Sequence, residues 1–209
     1  MFYVHPTDTF ASEGSTCNTN GENGISTCKY LEAAIANGTT LSTWKPGTTA
    51  TPGTTAQWGC YDTEVMNAAQ RTASLEIGTG RANTMKITER ICKGTDDSTS
   101  AASIAATYNG GGKTDWFLPS HKELDALCLA FFNGRTGVKN SIDKCMGSGN
   151  TNAVSGTTNE LSWSFAADCY WSSSEVNAFI AWYQYFDYGD QNGSGSKGDT
   201  YYVRPVRAF

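Results

Sequence analysis

Histidine is scarce in this 209-residue chain, and its cysteines are scattered. There are two histidines, His5 and His121, and seven cysteines, Cys17, Cys28, Cys60, Cys92, Cys128, Cys145 and Cys169. Covalent or general acid–base catalysis needs a nucleophile and a base within hydrogen-bond reach of each other, and no spacing here brings such a set together. His121 falls inside Ser120-His121-Lys122-Glu123, a capping box, where it reads as a solvated first-turn residue. No Cys-x-x-Cys pair is present to chelate zinc. The expectation is therefore a protein that is not an enzyme, with no catalytic residues, no metal and no cofactor. The odd cysteine count leaves at least one thiol outside any disulfide, and Cys17 and Cys28 could close a small loop in an oxidising compartment. Cys128 lies on an apolar helical face and reads as a small buried hydrophobe rather than a nucleophile. Connectivity is not legible in the spacing.

Recognition residues are dense at the C-terminus. In Ala181-Trp182-Tyr183-Gln184-Tyr185-Phe186-Asp187 a strand would point Trp182, Gln184 and Phe186 one way and Tyr183, Tyr185 and Asp187 the other, so that one face packs and one meets solvent. Tyr188, Asp190, Asn192, Gly193, Ser194, Ser196, Asp199, Tyr201 and Tyr202 follow. Tyrosine offers a large amphipathic contact area for few rotatable bonds, and Ser, Gly and Asn supply adaptable hydrogen bonds, which is the composition of binding loops. A polar, Gly-rich hairpin whose tyrosines merely cover a sheet has the same composition, and composition alone leaves both readings open.

The elements that must position this tract are legible in outline. Ser120 and Glu123 predict a helix start, with Leu124, Leu127, Cys128 and Phe131 on its apolar face. A second helix is expected over Ala82 to Lys93, with Asn83 as cap and Met85, Ile87 and Ile91 inward. A third is expected over Thr99 to Tyr108, with Ala101, Ile104, Ala105 and Tyr108 inward, stopped by Asn109-Gly110-Gly111-Gly112. From Thr7 to Gly59 the chain is rich in Thr, Gly, Ser and Asn, with Gly-Thr-Thr at 38–40, 47–49 and 53–55, and reads as turns or a flexible linker. Beyond Cys145 strands and turns take over, with Trp163, Phe165, Tyr170 and Trp171 as apolar bulk. Helices upstream and strands downstream predict an α+β fold.

Charge narrows the partners. A net charge of -5 and a pI near 5.0 argue against nucleic acid, which needs a basic stripe; Arg204 and Arg207 read as strand residues. No run approaches the roughly 18 apolar residues of a membrane span, so direct membrane insertion is not expected. Asn37-Gly38-Thr39 and Asn192-Gly193-Ser194 fit the glycosylation sequon.

Two stretches carry a family resemblance. Gly111-Gly112-Lys113-Thr114-Asp115-Trp116-Phe117-Leu118-Pro119-Ser120, followed by Lys122-Glu123-Leu124, resembles a signature of bacterial and phage proteins with a C-type-lectin-like, formylglycine-generating-enzyme-like domain; Ile77 to Thr84 is similar to another stretch of that group. The C-terminus, with Tyr170-Trp171-Ser172-Ser173-Ser174-Glu175, Ala181-Trp182, Gln184, Phe186, Gly189, Gln191, Lys197 and Val203 to Phe209, resembles the variable region of diversity-generating retroelement target proteins. In that family, error-prone copying of template adenines rewrites asparagine codons and leaves the codons between them unchanged. Between Val176 and Tyr202 the residues that cannot arise from an asparagine codon by changing its first two bases are Trp182, Gln184, Gln191 and Lys197, and all fall at scaffold positions of the family.

The resemblance covers about residues 76–209, with the variable region at about 171–209; residues 1–75, turn-rich, match poorly and could be integrated into the same domain. It implies a C-type-lectin-like fold with two main helices and a small, mostly antiparallel sheet displaying a variable face. The ligand-binding positions it implies are Val176, Asn177, Phe179, Ile180, Tyr183, Tyr185, Asp187, Tyr188, Asp190, Asn192, Gly193, Ser194, Ser196, Asp199, Thr200, Tyr201 and Tyr202. Tyr183, Tyr185, Tyr188, Tyr201 and Tyr202 would be anchors, and the partner a protein or surface polymer, with the protein on a virion or cell surface. Three other readings stay open. Calcium-dependent sugar binding lacks the Glu-Pro-Asn, Gln-Pro-Asp and Trp-Asn-Asp sequences of sugar-binding lectins. Cysteine oxidation, known in related folds, would need a reactive cysteine pair, and Cys169 stands alone in the terminal segment. A structural surface or fibre module would use the same face for self-association.

Overall fold

The computed structural model describes residues 3–4, 10–11, 27–28, 30–34, 54–133, 166, 168–186 and 189–209. Cys17, Cys145, Trp163, Phe165, His5, the sequon at Asn37 and the first two Gly-Thr-Thr repeats lie outside them, as does the side chain of Phe131. The described residues form an α+β domain. Its strands are β1 (Tyr3–Val4), β2 (Phe10–Ala11), β3 (Thr27–Cys28), β4 (Tyr30–Ala33), β5 (Thr55–Gln57), β6 (Cys169–Glu175), β7 (Ile180–Tyr185), β8 (Gln191–Ser196), β9 (Thr200–Tyr202) and β10 (Val206–Ala208). The helices are α1 (Ala68–Ala73), α2 (Gly80–Glu89), α3 (Ala101–Thr107) and α4 (His121–Asn133).

The largest sheet has the order β5-β9-β6-β7-β8, antiparallel throughout except where β6 and β9 run parallel. A smaller sheet, β1-β4-β10, joins the two ends of the chain, with Val206 opposite Ala33 and Ala208 opposite Leu31. Early residues thus pair with late ones twice, β4 with β10 and β5 with β9. Arg207 lies on β10 and donates to Glu32 and Asp115, whereas Arg204 sits in the link between β9 and β10, where its buried guanidinium donates to Ala34 O at 2.9 Å.

Helix α4 begins as its sequence dictates. Ser120 Oγ accepts from the Glu123 N–H at 3.3 Å, and Glu123 Oε2 accepts from the Ser120 N–H at 2.7 Å, so two otherwise orphaned helix-end donors are satisfied. Leu124, Leu127 and Cys128 are fully buried against Leu31, Phe117, Tyr170, Phe186 and Val206. Helix α3 is held by Ser100, which accepts from the Ser103 N–H, and it buries Ala101, Ile104 and Ala105 against Trp58, Leu118 and Trp171. It stops before Gly110–Gly112, where Gly111 and Gly112 take φ of 66° and 67°, backbone that favours glycine.

Helix α2 departs from expectation. It starts at Gly80, with Thr79 at the N-cap, and Asn83 is an interior residue whose buried Nδ2 donates to Ser74 O and Ser173 Oγ. The earlier start depends on a close approach across the fold: a Cβ at Gly80 would come within 2.9 Å of Leu118 O, Ser120 N and the Glu123 carboxylate. The inward face is Gly80, Asn83, Thr84 and Ile87, while Met85 is 42% and Ile91 76% exposed. Small and polar residues can take the inward positions because their hydrogen bonds are made there, as when Thr84 Oγ1 accepts from the Leu118 N–H at 3.0 Å. Glu123, which also accepts from the Gly78 N–H at 2.8 Å, is fully buried; burial pushes its carboxyl up to about 7 against the opposing pull of these donors.

Candidate ligand-binding surface

Strands β6 to β9 form a frame fastened by polar contacts beneath its loops. Glu175, the last residue of β6, is buried and accepts from the N–H groups of Val65 and Met66 at 2.8 Å each. Lys197, just past β8, is equally buried; its Nζ donates to Glu175 Oε1 at 2.6 Å and to Thr63 O at 2.8 Å, and lies 4.6 Å from the centre of a Trp58 ring. Burial lowers the Lys197 pKa while the Glu175 carboxylate opposes that shift. The pair ties the 63–66 segment to the turn between β8 and β9. On β7 and β8, Gln184 is buried and donates to Gly189 O at 2.7 Å, while Gln191 donates to His121 O at 2.8 Å.

His121 is not the solvated residue that its place in a capping box suggests. Its ring packs edge-on against Trp182, centroids 4.5 Å apart, and burial drops its pKa to about 4. Being neutral near pH 7, the imidazole serves as packing for β7. Trp182, Gln184, Gln191 and Lys197 are thus all held in defined packing or polar contacts.

The remaining positions of the tract lie mainly on turns and strand surfaces. In the β6–β7 hairpin, Asn177 Oδ1 accepts from the N–H groups of Phe179 and Ile180, an Asx turn that leaves Phe179 exposed and Val176, Asn177 and Ile180 half-buried. Asp190, Asn192, Ser194, Asp199 and Thr200 are exposed, and Gly193 and Ser196 are half-buried. Asp187 and Tyr188 lie outside the described residues.

The tyrosines divide between two sides. Gln184 and Phe186 are buried, and Phe186 joins the α4 core, as the alternation predicts. The opposite face is only partly open: Tyr183 is 6% exposed, wedged among Trp171, Tyr185 and Tyr201 with ring centroids 6.2, 5.2 and 4.9 Å away. It can lie so deep because the neighbouring strand carries Gly195, where a Cβ would come 2.7 Å from Tyr183 Cδ1 and 2.8 Å from Trp171 Cζ3. Tyr201 leans on Trp171, centroids 4.3 Å apart, while the next residue, Tyr202, stacks on Tyr170 at 5.3 Å in the α4 core. Tyr185 and Tyr201 are half-buried, so each offers only part of its ring to a ligand.

Hydrogen bonding runs through this cluster. Tyr201 donates its hydroxyl to Asp199 Oδ2 at 3.1 Å, and its pKa is raised by burial and by the Asp199 charge. The Tyr185 hydroxyl is pushed up by hydrogen bonds with Tyr183 and with Cys169, a buried thiol. Tyr185 and Tyr201 therefore stay protonated at neutral pH and act as neutral hydrogen-bonding groups, beside exposed carboxylates at Asp190 and Asp199. The arrangement can stack on, and hydrogen-bond to, a ligand surface.

Sequence reasoning did not single out Gly195, which seats Tyr183, or Tyr61. Tyr61 is 47% exposed and meets Phe179 edge-on with centroids 5.5 Å apart. Its only sequence signal is an aromatic next to Cys60, and Cys60 forms a disulfide with Cys92, Cα atoms 4.7 Å apart. Cys28 and Cys128 are also disulfide-bonded, so Cys128 is more than the small buried hydrophobe its helical face suggests. Among the described residues no group of three or more His, Cys, Asp or Glu side chains is placed to hold a metal ion, and no helix is long and apolar enough to cross a membrane.

The family model described as the Lcl C-terminal domain matches residues 34–207. No curated protein and no solved structure matches the chain.

Proposed function

This chain belongs to the Lcl C-terminal domain family, and from that premise we propose that it is a ligand-binding protein of C-type-lectin-like fold, not an enzyme, whose C-terminal surface is diversified by retroelement-directed adenine mutagenesis. The ligand is a protein or surface polymer rather than nucleic acid. The contact positions are those of the 176–202 tract, with Phe179, Asp190, Asn192, Ser194, Asp199 and Thr200 most accessible and Tyr185 and Tyr201 contributing ring edges and hydroxyls.

One observation carries this reading. The residues of the tract that asparagine codons cannot yield, Trp182, Gln184, Gln191 and Lys197, coincide with side chains the fold uses: the His121 stack, the Gly189 and His121 carbonyl contacts, and the buried Glu175 pair. Adenine-directed mutagenesis rewrites asparagine codons most heavily and spares the Trp182 codon, and selection for the fold keeps Gln184, Gln191 and Lys197, whose codons also carry adenine, while the surface between them changes. The backbone frame then serves many side-chain sets, so the ordering cost of binding is met by the scaffold. A surface location, on a virion or a cell, agrees with the disulfides, which persist in oxidising compartments.

The test is a pair of displayed libraries. One randomises the exposed tract positions with codons of the form NNY; the other randomises Trp182, Gln184, Gln191 and Lys197. The first is expected to stay folded in most members and to yield binders against unrelated protein targets, and the second to lose folded display. Equal folded fractions, or no binders from the first library, would contradict the proposal.

A further inference from the structure

Next to the β6–β7 hairpin stands an exposed aromatic from far outside the tract. Tyr61 and Phe179 are 47% and 46% exposed and lie edge to face, 5.5 Å between centroids. Phe179 belongs to the tract that the proposed function treats as diversified, whereas Tyr61 belongs to a loop that the mutagenesis would not reach.

The Tyr61 loop is held in an uncommon shape. Its neighbours Cys60 and Asp62 have φ of 51° and 65°, left-handed backbone that non-glycine residues rarely adopt, and Gly59 precedes them at 94°. Such backbone persists where the surroundings over-determine it, as they do at binding sites. Here the Cys60–Cys92 disulfide, the Cys60 N–H to Lys93 O bond at 3.0 Å and the Thr63 N–H to Cys60 O bond at 3.1 Å hold the loop backbone in place. The β8–β9 turn runs alongside: a Cβ on Gly198 would sit 3.7 Å from Tyr61 Cδ2.

Charge around the pair is one-sided. Asp62 and Asp199, each one residue from Tyr61 or Gly198, are exposed. Three basic side chains are engaged with carboxylates, Lys93 with Asp97 at 2.8 Å, Arg71 with Glu64 at 3.0 Å and Lys197 with buried Glu175. Two half-open aromatic rings, with exposed carboxylates next in sequence to Tyr61 and to Gly198, attract a cation through the ring quadrupoles and through negative charge. We infer that Tyr61 and Phe179, flanked by Asp62 and Asp199, form an anchor for a lysine or arginine side chain of a protein ligand, with Tyr61 as its unvarying half. This rests on reading the adjoining face as ligand-binding.

The probe is a capped tetra-arginine peptide, titrated into the full chain while the aromatic ring signals are followed by NMR, with a tetra-citrulline peptide of the same length as the uncharged control. The arginine peptide is expected to shift the Tyr61 and Phe179 signals saturably, and citrulline to leave them unmoved. Tyr61→Ala and Phe179→Ser should each weaken binding by roughly two- to fivefold, the range for an exposed cation–π contact, while Tyr61→Phe retains it. Thermal melts of the three variants establish that each is folded, and Phe179→Ser, in an exposed turn, reads the same anchor without touching the Tyr61 loop. Equal affinity of wild type and folded Tyr61→Ala, shifts centred elsewhere, or equal response to citrulline would overturn the inference. Peptide binding does not depend on whether the tract varies in a population, so a failed titration beside a diversified gene removes the anchor alone, and a successful one beside a uniform gene removes the diversification alone.

Discussion

Replacing Lys197 by methionine removes one partner of an ion pair in which both side chains are 0% exposed. Glu175 would keep the N–H groups of Val65 and Met66 but lose its 2.6 Å contact with Nζ, and Thr63 O would lose its donor. Breaking a buried pair on one side costs about 3–5 kcal/mol, because the remaining charge stays in a medium that solvates it poorly. The two N–H donors to Glu175 offset part of that, which places Lys197→Met near the lower end, at roughly 3 kcal/mol. Removing both charges, as Glu175→Met with Lys197→Met, leaves no orphaned ion and should cost less than the sum of the single changes. The assay is urea unfolding of the wild type, both singles and the double, with the coupling taken from the cycle. A Lys197→Met loss below about 1 kcal/mol, or simple additivity, would show that the pair does not fasten the β8–β9 turn.

Other consequences follow from the same geometry. Gly195→Ala sets a methyl against the Tyr183 and Trp171 rings, so unfolding experiments should show a loss of about 1–3 kcal/mol. Asn192→Ala and Thr200→Ala, at exposed positions, should each fall within roughly 0.5 kcal/mol of wild type by the same measurement. The pH profile should expose two opposing titrations. His121 has its folded pKa depressed from 6.5 to about 4, so the unfolded chain binds more protons and stability falls as pH drops through that window; Glu123 has its folded pKa raised from 4.5 to about 7, so stability falls as pH rises through that one. The two nearly cancel between pH 4.5 and 6.5, and Glu123→Gln should uncover the His121 slope, a gain of roughly 2 kcal/mol in unfolding free energy across that interval.

What the sequence makes legible is what local chemistry decides. The Ser120–Glu123 capping box needs only residues three apart, and the apolar face of α4 follows from helical spacing. The α+β segregation of helices upstream and strands downstream is likewise written in the order of apolar patterns along the chain. What stays hidden depends on partners far along the chain. The start of α2 is set by the approach of Gly80 to Leu118 and Glu123, and the burial of Tyr183 by the absence of a side chain on Gly195 across the strand. His121 is drawn out of solvent by Trp182, and Tyr61 meets Phe179 only because a disulfide and the β8–β9 turn bring residue 61 beside residue 179. Alternation assigns Tyr201 and Tyr202 to opposite sides, but no local signal says that both sides are packed.

The central claim is that one face varies while its fastenings do not. Its most direct test is deep sequencing of the gene segment for residues 171–209 across the source population, together with the flanking DNA. The account predicts substitutions confined to the tract positions, with Trp182, Gln184, Gln191 and Lys197 unchanged, beside a near-copy template rich in asparagine codons. Uniform sequence with no template, or variation that falls equally on those four residues, would contradict it and leave a lectin-like module of fixed specificity.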